Sequence, residues 1–313
     1  MNPMLSRRRF ILIGSAAILA ASAAGGASVP VREWRGIALG AEARLILAHP
    51  QADRLIAEAR SELSRLEAIF SLYRADSALS RLNATGRLDL PPSELLEVLA
   101  LAGLVHEATD GRFDPTVQPL WQANAEAAAA GRRITDAERA AALSLVGWGK
   151  VEATPARVML ARPGMALTLN GIAQGYITDR VADRLRALGL HDVLVEMGEI
   201  RALGRTPEGT AWPVSLTDGT RLPLIDRALA SSAPRGTCFD AEGRLGHIID
   251  PATGRNSAAP WSLVSVSAPQ AAVADALSTA GCLMGDRTAL ETAVSRFSGA
   301  RIEALRQESP ARA

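Results

Sequence analysis

Aromatic residues make up only 4% of this 313-residue chain, and there are just two cysteines. So few aromatics argue against a surface on which nucleic-acid bases stack. Cys238 and Cys282 lie far apart, form no CxxC and have no histidine at zinc-ligand spacing, which argues against a structural zinc site. An oxidising compartment would let them pair, but buried free thiols are the simpler reading. Excess charge is missing too. The formal net charge is +1, so no overall field draws the chain to nucleic acid. GxSxG, HExxH and Walker stretches are absent, which weakens hydrolase and kinase readings. No internal repeat and no convincing linker stands out.

The hydrophobic fraction, 48%, suits one large or two modest globular domains with ample core. The first residues carry the clearest local signal. Ser6-Arg7-Arg8-Arg9-Phe10-Ile11-Leu12 precedes an apolar run to Ala24 and small residues around Ala27. The run is short and rich in Ala, Gly and Ser for a membrane span. Its basic start resembles a twin-arginine export signal, with an ordinary secretory leader or a retained anchor as alternatives. No cysteine follows, which argues against a lipoprotein. Residues 1–28 are therefore expected to be a signal peptide and 29–313 the mature, periplasmic domain.

Along the mature chain the pattern predicts a strand over 36–48. It predicts a helix over 51–70, with Leu55, Ala59, Leu63, Leu66 and Phe70 at steps of three and four. A polar loop is expected over 71–83. Pro91-Pro92-Ser93 starts another helix, with Gly111 at a left-handed position beyond its end. Residues 111–122 read as a loop with two prolines, and 125–147 as helix interrupted at Gly131. A hairpin is expected over 156–169 around Arg162-Pro163-Gly164, then a loop and a helix that stops at Gly189. Strands are expected at "HDVLVEMG", "WPVSL", "RALAS", "GHIID" and "SLVSVSA". Helices over 270–284 and 286–297 and a strand near "ARIEAL" close the chain, with a frayed tail after Arg306. Strands and helices mix without regular βαβ alternation, which indicates an α+β fold rather than a doubly wound one.

Three places carry chemistry. Gly171 and Gly175 flank the start of the 168–190 helix, where glycine costs about 1 kcal/mol against alanine. A tight turn or close packing explains them, as does an anion at the helix N-terminus. Asp275 and Thr279 stand four apart on a helix and share a face. They are hard oxygen ligands of the kind Mg²⁺ takes, or a local hydrogen-bonded pair. His247, at the head of "GHIIDPATGR", is either a hydrogen-bonded strand-end histidine or a general base.

"FSLYRADSALSRLN", "DGRFDPTVQPLW", "LTLNGIAQGYITDRVADRL", "VEMGEIRALG", "GHIIDPATGR" and "VADALSTAGCLMG" follow one another in this order. In sequence and spacing they resemble the ApbE family of FAD:protein FMN transferases, over roughly residues 36–306. The resemblance implies an α+β, T-fold-like architecture of mixed sheets and packed helices with a central flavin cleft. It implies Mg²⁺-dependent cleavage of FAD, transfer of FMN to a threonine or serine of a target flavoprotein, and release of AMP. By that resemblance Gly171 (through its carbonyl), Asp275 and Thr279 hold the metal, with Asp275 counted as catalytic. His247 helps deprotonate the acceptor hydroxyl. Leu39, Leu72, Tyr73, Arg74, Gly111, Gln174 and Ile249 contact the flavin nucleotide. The alternatives within the same resemblance are an FAD pyrophosphatase giving FMN and AMP, and a non-catalytic FAD-binding maturation protein for a membrane redox complex.

The chain departs from the usual family pattern at Thr168, Asn170 and Gln174, which stand where Asp, Gly and Lys are common. "ASSAPRG" replaces a Ser-Thr-Ser-Gly-aromatic run. The acceptor motif of the family is close to Ser/Thr-Gly-Ala-Thr. The nearest stretch here, "FSGAR", has Arg301 at the acceptor position, so no self-modification is expected. The partner is then a separate flavoprotein, with a subunit of a membrane redox complex as the candidate, and no nucleic acid.

Overall fold

The computed structural model describes residues 11–13, 29–216 and 218–307. The leader-like segment, apart from Ile11–Ile13, and the tail from residue 308 lie outside the described residues. The strands are β1 (Ile11–Ile13), β2 (Val31–Ala38), β3 (Ala41–Ala48), β4 (Arg87–Asp89), β5 (Val151–Ala153), β6 (Arg157–Leu160), β7 (Val193–Glu196), β8 (Ile200–Leu203), β9 (Trp212–Leu216), β10 (Arg221–Leu224), β11 (Arg227–Ser232), β12 (Trp261–Ala268) and β13 (Arg301–Gln307). The helices are α1 (Ala52–Phe70), α2 (Ala78–Thr85), α3 (Ser93–Ala108), α4 (Gln118–Ala129), α5 (Asp136–Ser144), α6 (Ala173–Ala187), α7 (Ala271–Gly281) and α8 (Arg287–Ser295).

A seven-stranded antiparallel sheet, in the order β13-β12-β11-β8-β7-β3-β2, is the frame. One face packs on helices α1, α6 and α7 in the largest core, around Leu45, Leu66, Ile177, Val195 and Leu277. The other face presents Ile46, Leu194, Ile200 and Leu229 to the β9–β10 hairpin, which supplies Trp212, Val214 and Leu224. With both faces covered, β7 is buried at all four positions, and for that reason it reads as an apolar run rather than an alternation. A third cluster joins α4 and α5 to the segment before β12, through Leu120, Val146, Phe239 and Ile249.

The mixed α+β class, α1 and α6 follow the sequence reading, and Gly111 has φ 75° beyond the end of α3. Other elements differ for local reasons. The single strand expected over 36–48 is a hairpin, β2 against β3, turned at Leu39 and Gly40 with φ 45° and 80°. Leucine is not a signal for a turn that needs two positive φ values. The polar loop over 71–83 contains α2, whose N-cap Ser77 accepts from the Ser80 amide. The two-proline loop holds a 3₁₀ turn and the start of α4, because Pro115 and Pro119 sit in first-turn positions where the missing N–H costs nothing. The hairpin expected around Pro163 is not formed. Strand β6 pairs back on β5 across a turn at Thr154, and on β4. "GHIID" is not a strand either. It makes only isolated bridges, Cys238 with Gly246 and Ile249 with Asn256.

Candidate active site

The site begins where α6 crosses α7. A Cβ on Gly175 would lie 2.4 Å from the Ala271 carbonyl oxygen and 2.6 Å from the Ala272 nitrogen. Only a bare backbone lets the first turn of α6 reach the first turn of α7. Gly171 is equally confined, since a Cβ there would lie 2.9 Å from Thr279 Oγ1. Both glycines are thus close-approach positions, and what they approach is the Asp275–Thr279 face. The Gly175 amide donates to Asp275 Oδ2 at 3.2 Å, and Asp275 is 3% exposed. The loop before α6 is held by Asn83, whose side chain accepts from the Leu167 amide at 2.7 Å and donates to the Leu167 carbonyl at 2.8 Å.

Gln174 is buried, with its amide packed on Gly198, where a Cβ would lie 2.7 Å away. At the end of β11 the Ser232 hydroxyl lies 2.8 Å from Ser278 Oγ and 3.3 Å from Thr279 Oγ1. Ser232 belongs to the "ASSAPRG" run, so the part of the sequence that departs from the family pattern still delivers a hydroxyl to Ser278 and Thr279 of α7.

His247 sits on the irregular segment that follows β11. Its backbone amide donates to the Thr237 carbonyl at 2.9 Å, and its Nδ1 lies 3.1 Å from the same oxygen. A carbonyl only accepts, so the ring proton of the neutral imidazole sits on Nδ1 and the lone pair on Nε2. That is the tautomer a general base needs. The segment is tied to the rest of the site by Arg112, whose guanidinium donates to Asp250 Oδ2 at 2.9 Å. Arg112 follows Gly111, and the same loop meets the loop before α6 where the Thr168 amide donates to the Pro115 carbonyl at 2.8 Å. The loop after Gly111 is thus hydrogen-bonded to the His247 segment through Asp250 and to the loop before α6 through Thr168.

Leu39, Leu72, Tyr73 and Arg74 form a second group beside the end of α1. Leu39 keeps its left-handed backbone although that costs about 1–2 kcal/mol. It is buried, and its amide donates to Glu67 Oε1 at 2.9 Å. Tyr73 is 67% exposed and approaches Gly40, while Arg74 is paired with Asp76 at 2.9 Å. Surface grooves of about 340 and 320 Å³ flank α1. Neither is lined by His247, Asp275 or Thr279.

Sequence reasoning missed Asp179 and Arg201. Asp179 is 4% exposed and accepts from the Ala271 and Ala272 amides at 2.9 and 3.0 Å and from Arg201 at 2.8 Å. Burial pushes its carboxyl up, against the pull of Arg201 and the two amides. The only local trace was a carboxylate one turn after Gly175, set beside Thr178 and Arg180 in a stretch that reads as an ordinary polar helix face. Neither cysteine is in a disulfide; Cys282 is buried, and Cys238 is half-buried with its Sγ 3.5 Å from the Arg235 carbonyl. Burial pushes the Cys282 thiol up, which leaves it unreactive.

Among the described residues no cluster of three or more His, Cys, Asp or Glu is placed to hold a metal. The donors facing Gly171 are the buried Asp275 carboxylate, hydroxyls and backbone, the second buried carboxylate of the crossing, Asp179, being taken up by the α7 amides and Arg201. That oxygen set fits a hard cation that keeps waters and substrate phosphates, as Mg²⁺ does, and does not fit zinc.

The ApbE family matches residues 39–304. The FAD:protein FMN transferase of Haemophilus influenzae is 32% identical over 219 residues, 64% of this chain and 63% of that protein. The matches to it and to the Chlamydia pneumoniae relative span less than two thirds of those proteins' own length. Among solved structures, the apo flavinyl transferase ApbE of Pseudomonas stutzeri superposes with a TM-score of 0.76 at 28% identity, covering 85% of this chain and 89% of the other. The ApbE protein of Thermotoga maritima gives 0.76 at 26% identity, with 89% and 97% covered.

Proposed function

The chain belongs to the ApbE family, and from that premise we propose that it transfers FMN from FAD to a threonine or serine hydroxyl of a separate flavoprotein and releases AMP. The observation that carries the reading is the α6–α7 crossing, where glycine backbone, a buried carboxylate and a hydroxyl meet within van der Waals reach.

In this reaction an oxygen–phosphorus bond forms between the acceptor hydroxyl and the FMN phosphorus of FAD, and the bond to the AMP phosphate breaks. The hydroxyl proton passes to His247 Nε2, the nitrogen left basic by the Nδ1 bond to Thr237. Asp275, Thr279 and the Gly171 carbonyl would hold Mg²⁺, which when bound neutralises charge on the pyrophosphate. The protein's remaining task is positioning, as expected for phosphoryl transfer. The glycine contacts set the distance between the α6 loop and α7, and the α6 N-terminus faces negative charge. Leu39, Leu72, Tyr73, Arg74, Gly111, Gln174 and Ile249 are proposed to contact the flavin nucleotide, Gln174 from a buried position in the first turn of α6. The acceptor is proposed to carry a Ser/Thr-Gly-Ala-Thr-like motif, in a subunit of a membrane redox complex. The twin-arginine-like start supports export to the periplasm.

Incubation with FAD, Mg²⁺ and an acceptor peptide, followed by mass spectrometry, tests the proposal. Covalent FMN on the peptide with AMP released is the expected result. Free FMN and AMP without adduct would mean hydrolysis, and unchanged FAD would mean a carrier.

A further inference from the structure

Resting on that reading, we propose that Asp179 and Arg201 are positioning residues for the metal site. Neither α6 nor α7 caps its own start. The N-cap positions are Ile172 and Gln270, and neither side chain makes a capping hydrogen bond. Each helix is capped by the other instead. Asp275 of α7 accepts the Gly175 amide in the first turn of α6. Asp179 of α6 accepts the Ala271 and Ala272 amides, the first two of α7. Helix starts expose unpaired N–H groups, and buried ones require partners. The exchange supplies them with carboxylates, whose charge also suits the helix dipole.

The two caps are not equivalent. Asp275 is a proposed metal ligand one turn beyond Ala271, so its carboxylate moves with the first turn of α7. Asp179 fixes that turn without belonging to the ligand set. Arg201, on β8 and 11% exposed, holds Asp179 Oδ1 at 2.8 Å and reaches Asp183 at 3.3 Å. The sheet thereby sets Asp179, Asp179 sets α7, and α7 presents Asp275 and Thr279 to Gly171. Outer partners of metal ligands typically change metal affinity by about 10- to 100-fold when removed.

The test is Mg²⁺ titration by calorimetry on the FAD-loaded full chain, with circular dichroism as a folding control. Asp179→Ala is expected to weaken Mg²⁺ binding by about 10- to 100-fold. Asp179→Asn, which keeps one acceptor oxygen, should fall between it and the wild type. Maximal transfer should return at saturating Mg²⁺. A merely structural role would lower the melting temperature and leave the Mg²⁺ midpoint in place. If Asp179→Ala does not fold, Asp179→Asn decides by the same midpoint. A folded variant with wild-type Mg²⁺ affinity overturns the inference. Wild-type protein that binds no Mg²⁺ overturns it together with the metal site. A shifted midpoint in protein that modifies no acceptor supports the inference and overturns the transferase reading alone.

Discussion

The α6–α7 crossing and the His247 segment are built by opposite means. At the crossing, two helices touch through glycine, and their positions are fixed by side-chain carboxylates on backbone amides. Around His247 there is no regular element. The ring and the backbone amide both use the Thr237 carbonyl, and two isolated bridges hold the segment in shape. The first region is specified by its side chains and resists displacement, because packed interiors do not deform gradually. The second is specified by its backbone. Its hydrogen bonds come from isolated bridges rather than a ladder, and the Nδ1 contact with the Thr237 carbonyl sets the tautomer of His247. The proposed transfer, from one nucleotide donor to a protein acceptor, would call for this division.

The largest expected effect falls on the crossing alone. Removing divalent cations with a chelator should abolish transfer and leave the fold intact, and Mg²⁺ should restore it. His247→Ala should slow transfer by about 10²- to 10⁴-fold with FAD affinity nearly unchanged in equilibrium titration. A parallel loss of binding would mark His247 as a packing residue. Gly175→Ala sharpens the contrast from the packing side. Its Cβ must displace the start of α7, so stability should fall by about 1–3 kcal/mol in urea unfolding, and Mg²⁺ affinity with it. Thr237→Ala should do least. The bond to His247 uses the Thr237 backbone, so transfer should stay within about twofold of wild type. A large loss would show that the side chain matters and that the two regions are not so different.

How much was legible in the sequence follows the same divide. The Asp275–Thr279 face and the two glycines at the α6 start lie within single turns, where helical period and residue type speak directly. Their conjunction was visible only through the family resemblance, because α6 and α7 meet across 100 residues. Asp179 and Arg201 were not legible for the same reason. Asp179 is 92 residues from Ala271 and 22 from Arg201, and nothing local distinguishes a capping carboxylate from a solvated one. "GHIID" misled in the other direction. Ile248 is buried in the main core and Ile249 against α4 and α5, so it has the composition of a strand without a ladder to join. The Leu39–Gly40 turn was hidden because leucine tolerates its left-handed backbone only under tertiary constraint.

The central claim is that one buried carboxylate at the α6–α7 crossing binds the metal required for transfer. Its most direct test is covalent FMN on an acceptor peptide as a function of Mg²⁺ concentration, for wild type and Asp275→Asn. The substitution keeps the shape and one oxygen of the side chain but removes the charge that Mg²⁺ favours. The account predicts a fall in transfer of orders of magnitude at low Mg²⁺, with partial recovery at high Mg²⁺ or with Mn²⁺, in a protein whose circular dichroism is unchanged. A folded Asp275→Asn protein with full transfer at low Mg²⁺ would contradict it.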